Sequence, residues 1–143
     1  MLTSLYASLL CLFFIFLSVR VIALRGNPVF AVLSFGKDSP DTLDRAIRAH
    51  GNFAEYTPLF LILLCLAERS DMASSGIHAY AASFFAGRLM HGICFALLKR
   101  NLFLRVGGTV LTLFPLLGLA SWHLRSLWLA SCCESKKTDF SWF

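Results

Sequence analysis

Charge is scarce in this chain: of its 143 residues only 15% are charged, against 57% hydrophobic, and the mean hydropathy is +0.70. Soluble domains average about 25% charged residues, so a water-soluble globular domain is excluded and a membrane composition remains. Runs of one charge are missing too. The formal charge of +5 is spread over basic residues at the ends of apolar stretches, which excludes a nucleic-acid reading. The five cysteines, Cys11, Cys65, Cys94, Cys132 and Cys133, have no metal-ligand spacing and no disulfide framework, so no metal site is expected. Three of them lie in apolar runs, where cysteine acts as a small buried hydrophobe. The adjacent Cys132 and Cys133 read as tail thiols, with a lipidation or redox pair as the alternative. The first apolar run lacks a basic n-region and a clear small-residue cleavage site. At roughly 18 residues it reads as a retained span rather than a signal peptide.

What is present is a succession of apolar stretches, with room for about four spans of about 20 residues each. The expected fold is all-α, an integral membrane four-helix bundle, with the membrane domain over residues 1–130 and a polar tail over 131–143. The first span runs from Leu2 to Leu24, and Arg20 is expected to snorkel from its end. Gly26 to Asp38, with Gly26, Asn27, Pro28 and Gly36, reads as a loop. Ser39-Pro40 followed by Asp41 and Asp44 reads as a helix start, and the helix is expected to reach Glu68, about 29 residues or about 43 Å. Pro58 removes a hydrogen bond to Ala54, so a bend is expected beside Glu55. The third helix is expected over Ser75–Leu98, Lys99-Arg100-Asn101 forms a loop, and the fourth helix spans Leu104–Trp122. Arg25, Lys37, Arg45, Arg48, Lys99, Arg100 and Arg105 fall on one side, and Arg69, Arg125, Lys136 and Lys137 on the other. The excess marks the first side as cytoplasmic, with both termini outside.

The polar residues converge on that cytoplasmic end. At 100° per residue, Arg45, Arg48, Asn52, Glu55 and Tyr56 share roughly one third of a helix circumference. Two guanidiniums, an amide, a carboxylate and a phenol on one face could grip a small zwitterionic ligand. His50 is expected at headgroup level. Arg88 and His91 stand at i, i+3 on one face of the third helix. Facing lipid, Arg88 would cost about 2.5–3.5 kcal/mol, so it is expected to face inward with Glu55 as its partner. Arg105, in the first turn of the fourth helix, opposes the positive end of the helix dipole, a placement that suits anion binding.

The segment Arg48-Ala49-His50-Gly51-Asn52-Phe53-Ala54-Glu55-Tyr56-Thr57-Pro58 resembles the signature of the MAPEG family, the membrane-associated proteins of eicosanoid and glutathione metabolism. Gly87-Arg88-Leu89-Met90-His91 resembles the family's third-helix pattern, and Leu104-Arg105-Val106-Gly107-Gly108 its fourth-helix entrance. The likeness covers Leu5 to Leu124 and is greatest to the small bacterial branch, which implies a bacterial inner membrane. It implies a homotrimer that binds glutathione as co-substrate between subunits near the cytoplasmic side. Carried over by position, Arg48, Asn52, Glu55, Tyr56, Arg88 and His91 would bind glutathione. Arg105 would be the catalytic, thiolate-stabilising residue, with Arg100 as the alternative. Phe95 stands where characterised members often carry a tyrosine.

The function this implies is a glutathione-dependent transferase or peroxidase acting on lipophilic electrophiles that arrive from the bilayer. The competing reading is a non-catalytic relative that binds lipid or a partner protein. A small multidrug transporter would be expected to carry an acidic residue in its first span, where this chain has Arg20 and no acid.

Overall fold

A computed structural model describes residues 1–37, 39, 41–97 and 102–139, with side chains up to Cys94 and from Leu102 to Ser131 in the last two helices. Arg100, the side chain of Phe95 and the side chains of Cys132 and Cys133 lie outside the described residues. The described chain is all-helical: α1 (Leu2–Leu24), a 3-10 helix (Pro28–Leu33), α2 (Thr42–Arg69), α3 (Ser74–Leu97) and α4 (Leu102–Asp139). α1 matches its expected bounds. Among the described residues, α1 and Leu102–Ser131 of α4 are long and apolar enough to cross a membrane.

α3 and the start of α4 fall within two residues of their expected bounds, and three other features differ from expectation. The Gly26–Asp38 loop contains a 3-10 helix, capped where the Asn27 Oδ1 accepts from the Val29 N–H at 2.9 Å. α2 starts at Thr42 with Asp41 as its N-cap, because the Thr42 N–H is drawn into a turn on the Ser39 carbonyl at 3.1 Å. α4 does not stop at Trp122 but runs 38 residues, roughly 57 Å, and Pro115 is accommodated inside it. The polar composition after Ser131 thus changes the helix's surface without ending it.

Each helix buries one stripe. In α1 the buried Thr3, Leu10, Leu17 and Leu24 repeat every seven residues. In α2 the stripe is Ala46, Ala49, Phe53, Thr57, Phe60, Leu64 and Ala67, and in α3 it is Ile77, Ala81, Phe84, Arg88 and His91. Steps of three and four residues keep such a set on one helical face. Arg88 and His91 are therefore the polar continuation of a packing stripe. At the centre the rings of Phe60 and Phe84, both fully buried, stack at 3.8 Å with 2° between their planes.

The backbones of α3 and α4 approach each other closely at two glycines. A Cβ on Gly87 would stand 2.9 Å from the backbone carbon of Leu111, and one on Gly108 would stand 2.9 Å from the backbone nitrogen of His91. With lipid as apolar as the side chains, close backbone approach is a main source of helix association in a membrane. Gly87→Val or Gly108→Val is expected to lose about 1–3 kcal/mol of stability by overpacking. Gly51→Ala, with nothing within 4 Å of its Cβ, should hold or raise the unfolding midpoint; thermal unfolding in detergent reads all three.

At the opposite end, Glu68 of α2 accepts from the N–H groups of Leu2 at 2.6 Å and Thr3 at 3.0 Å. It satisfies two orphan donors in the first turn of α1 and complements the positive end of that helix. The Thr3 hydroxyl beside it and these two N–H groups hold the Glu68 carboxyl below the usual carboxylate range. A depressed folded-state value means stability that is present above the unfolded value and lost as pH falls through the folded one. Wild-type stability should therefore drop below about pH 4.5. Glu68→Gln should be less stable at neutral pH and show a flatter acid profile in the same unfolding assay.

Candidate functional site

Asn52 and Tyr56 are one turn apart on α2, at the edge of its buried stripe, and both are half-buried. From α3 the Arg88 side chain, 1% exposed, reaches between them. Its Nη2 donates to the Asn52 Oδ1 at 2.7 Å, and its Nη1 donates to the Thr112 Oγ1 of α4 at 3.5 Å. The Thr112 hydroxyl in turn donates to the Gly108 carbonyl at 2.7 Å, which leaves its oxygen to face Arg88 as an acceptor. The guanidinium carbon lies 5.4 Å from the Phe53 ring centroid and 5.7 Å from that of Tyr56. Both are within cation–π range. Its Nε is buried with no hydrogen-bond partner among the described residues.

Asn52, Tyr56, Arg88, His91, Thr109, Thr112 and Leu113 line a cleft of about 20 Å³, room for one water. His91 stands one turn beyond Arg88, 8% exposed, and hydrogen-bonds the backbone of Arg105 at the entrance of α4. The close Gly108–His91 contact fixes that register. Arg105 itself has an exposed side chain.

Not all of the expected face gathers here. Glu55 does not partner Arg88: it is exposed, with no hydrogen bond or ion pair among the described residues. The Asn52 amide occupies that place instead. Burying a carboxylate beside the guanidinium would cost desolvation that a neutral acceptor avoids. Arg48 is exposed as well, and the Arg45 Nη2 turns back to the Thr42 Oγ1 at 3.2 Å. The shared face is the border between core and surface, so Asn52 and Tyr56 point to Arg88 while Arg48 and Glu55 point out.

His50 is not at the cleft. Its ring stacks on Phe14 of α1 with centroids 4.7 Å apart, and its Nε2 is 3.0 Å from the Ser18 Oγ. The Ser18 hydroxyl donates to the Phe14 carbonyl at 2.8 Å, so the His50 nitrogen is the donor in this pair. Sequence reasoning missed Thr112. Its signal was the stripe Gly108, Thr112, Pro115 and Leu119, which sets one hydroxyl in the buried face of α4. Arg20 was also misjudged: rather than snorkelling, it is 2% exposed.

The chain belongs to the MAPEG family, whose model matches residues 3–125. Among curated proteins it is similar to the inner membrane protein YecN of Escherichia coli K12, with 34% identity over 91 residues, 64% of this chain and 67% of the relative. The same protein from E. coli O6:H1 matches equally. No solved structure matches the chain significantly.

The Arg88 network predicts a non-additive mutant pair. Asn52→Leu removes a hydrogen bond to a buried cation and should cost about 1.5–3 kcal/mol. Arg88→Met with Asn52→Leu should recover most of that loss, because no charge is left stranded. Denaturant unfolding of the two single variants and the double in detergent measures the coupling.

Proposed function

We propose that this protein is a multi-pass inner-membrane enzyme, a four-helix bundle working as a homotrimer, that binds glutathione and activates its thiolate for attack on lipophilic electrophiles. The observation that carries the reading is Arg88, a buried guanidinium with a neutral amide and a hydroxyl for partners and no carboxylate paired to it among the described residues. A buried cation without a counter-ion is costly, and an anionic ligand offsets that cost. Glutathione brings two carboxylates, one ammonium and a thiol. Asn52, Tyr56, Arg88 and His91 would take its anionic end, and the exposed Arg48 and Glu55 would meet it from the surface. The cleft of about 20 Å³ is far below the ~300 Å³ of a typical ligand pocket. A second copy lying against this face would supply the remaining walls, which is how the trimer enters the proposal.

Arg105 is the proposed thiolate partner. It sits in the first turn of α4, which contains no acidic residue, and His91 hydrogen-bonds its backbone. A free thiol with a pKa near 8.5 is mostly protonated at neutral pH. Lowering it by about two units takes roughly 2.7 kcal/mol of preferential thiolate stabilisation, within reach of a partly shielded guanidinium. The thiol proton leaves to solvent, the sulfur lone pair forms a bond to the electrophilic carbon, and the leaving group departs with its electron pair. Excess basic residues on this side favour a cytoplasmic site with both termini outside.

A second reading, a non-catalytic relative that binds lipid or a partner protein, is favoured by the same small cleft and by the exposure of Arg48, Glu55 and Arg105. Ultraviolet difference absorbance at the thiolate band separates the two. Purified protein titrated with glutathione should give a saturable signal that Arg105→Ala abolishes while binding persists. Binding without a thiolate signal in the wild type would support the non-catalytic reading.

A further inference from the structure

The segment between α1 and α2 has a composition at odds with its position. None of Pro28–Leu33 is buried; Val29 is 77% and Val32 91% exposed, and Phe30 and Phe35 are exposed too. Yet this apolar piece is firmly built. The Ser34 N–H and hydroxyl both donate to the Ala31 carbonyl, at 3.0 and 2.6 Å, and Asn27 caps the start. From inside α1, the Arg20 Nη1 donates to the Leu33 carbonyl at 2.9 Å and its Nη2 to the Phe35 carbonyl at 3.3 Å. The Arg20 guanidinium also lies 3.9 Å over the Phe35 ring.

The depth of Arg20 decides what these side chains meet. It stands four residues before the end of α1, and its bonds to Leu33 and Phe35 hold the loop back against that helix. Non-helical backbone at that depth is tolerated only where its polar groups are satisfied, which the 3-10 bonds and Arg20 accomplish at its far end. Exposed Arg25 and Lys37 flank the apolar piece, and the acidic Asp38, Asp41 and Asp44 follow it in the sequence. Apolar side chains between cations are the pattern of a segment lying in a membrane surface rich in acidic lipid.

We propose that Pro28–Phe35 is an interfacial anchor that seats Val29, Phe30 and Val32 at the headgroup–acyl boundary of an anionic leaflet, with Arg20 as its strut. The proposal rests on α1 spanning that bilayer. The test uses the full chain with its five cysteines replaced by serine and Val32→Cys carrying an environment-sensitive fluorophore. The protein is reconstituted in phosphatidylcholine–phosphatidylglycerol vesicles, with Asp44→Cys as the aqueous control. Emission from position 32 should be blue-shifted and quenched by lipids bearing a nitroxide near the headgroup, whereas position 44 should be quenched by aqueous iodide. Arg20→Met should abolish the lipid quenching at position 32. Phe35→Leu, which removes only the ring beneath the guanidinium, should reduce it should Arg20→Met fail to fold. Iodide quenching at position 32 in vesicle-bound protein overturns the anchor. Shielding from both quenchers also overturns it, and assigns the face to a second copy. Protein that fails to float with the vesicles refutes the spanning of α1 instead.

Discussion

The guanidinium of Arg88 sets the terms for the rest of the molecule. It is a permanent charge in the buried stripe of α3, and two neighbouring helices hold it: Asn52 and the rings of Phe53 and Tyr56 from α2, and Thr112 from α4. None of these groups is charged, so the surroundings lower the cost of burial without neutralising it. A carboxylate in Asn52's place would complete an ion pair and close the site. The neutral amide leaves the charge of the cation uncompensated.

That arrangement depends on how closely α3 and α4 pack. Gly87 and Gly108 bring the two backbones together next to Arg88. Thr112, one turn beyond Gly108, thereby comes within reach of the guanidinium, and His91 reaches the backbone of Arg105. A side chain on either glycine would move Arg105 and Thr112 together. The same contact thus serves packing and the position of two groups in the proposed site, and stability and chemistry are coupled through it.

Much of this was legible in the sequence because it follows from period and composition. The bounds of α1, the inward face of Arg88 and His91, and the proximity of Asn52 and Tyr56 all came from 100° per residue and the cost of a charge in lipid. What was not legible concerns choices between neighbours on one face. Asn52 and Glu55 differ by three residues, and angular spacing alone does not say which meets Arg88; desolvation of a carboxylate against an amide does. The continuation of α4 past Trp122 was hidden because His123, Arg125 and the polar residues after Ser131 look like a helix end, although the backbone ladder runs on to Asp139. The turn that moves the start of α2 to Thr42 is a backbone effect with no side-chain signature.

Arg20 and Arg88 make the sharpest contrast in the molecule. Both are buried arginines in apolar helices, although position along the helix pointed Arg20 to the membrane surface and Arg88 inward. Arg20 gives its terminal nitrogens to backbone carbonyls of a loop that needs donors, so its hydrogen-bonding serves the chain's own architecture. Arg88 gives its terminal nitrogens to two side chains, one at 2.7 Å and the other at a stretched 3.5 Å, at the wall of a cleft. A charge held by carbonyls is a strut. A charge held loosely beside an opening is suited to a ligand, and the distinction rests on partners and distances rather than on residue type.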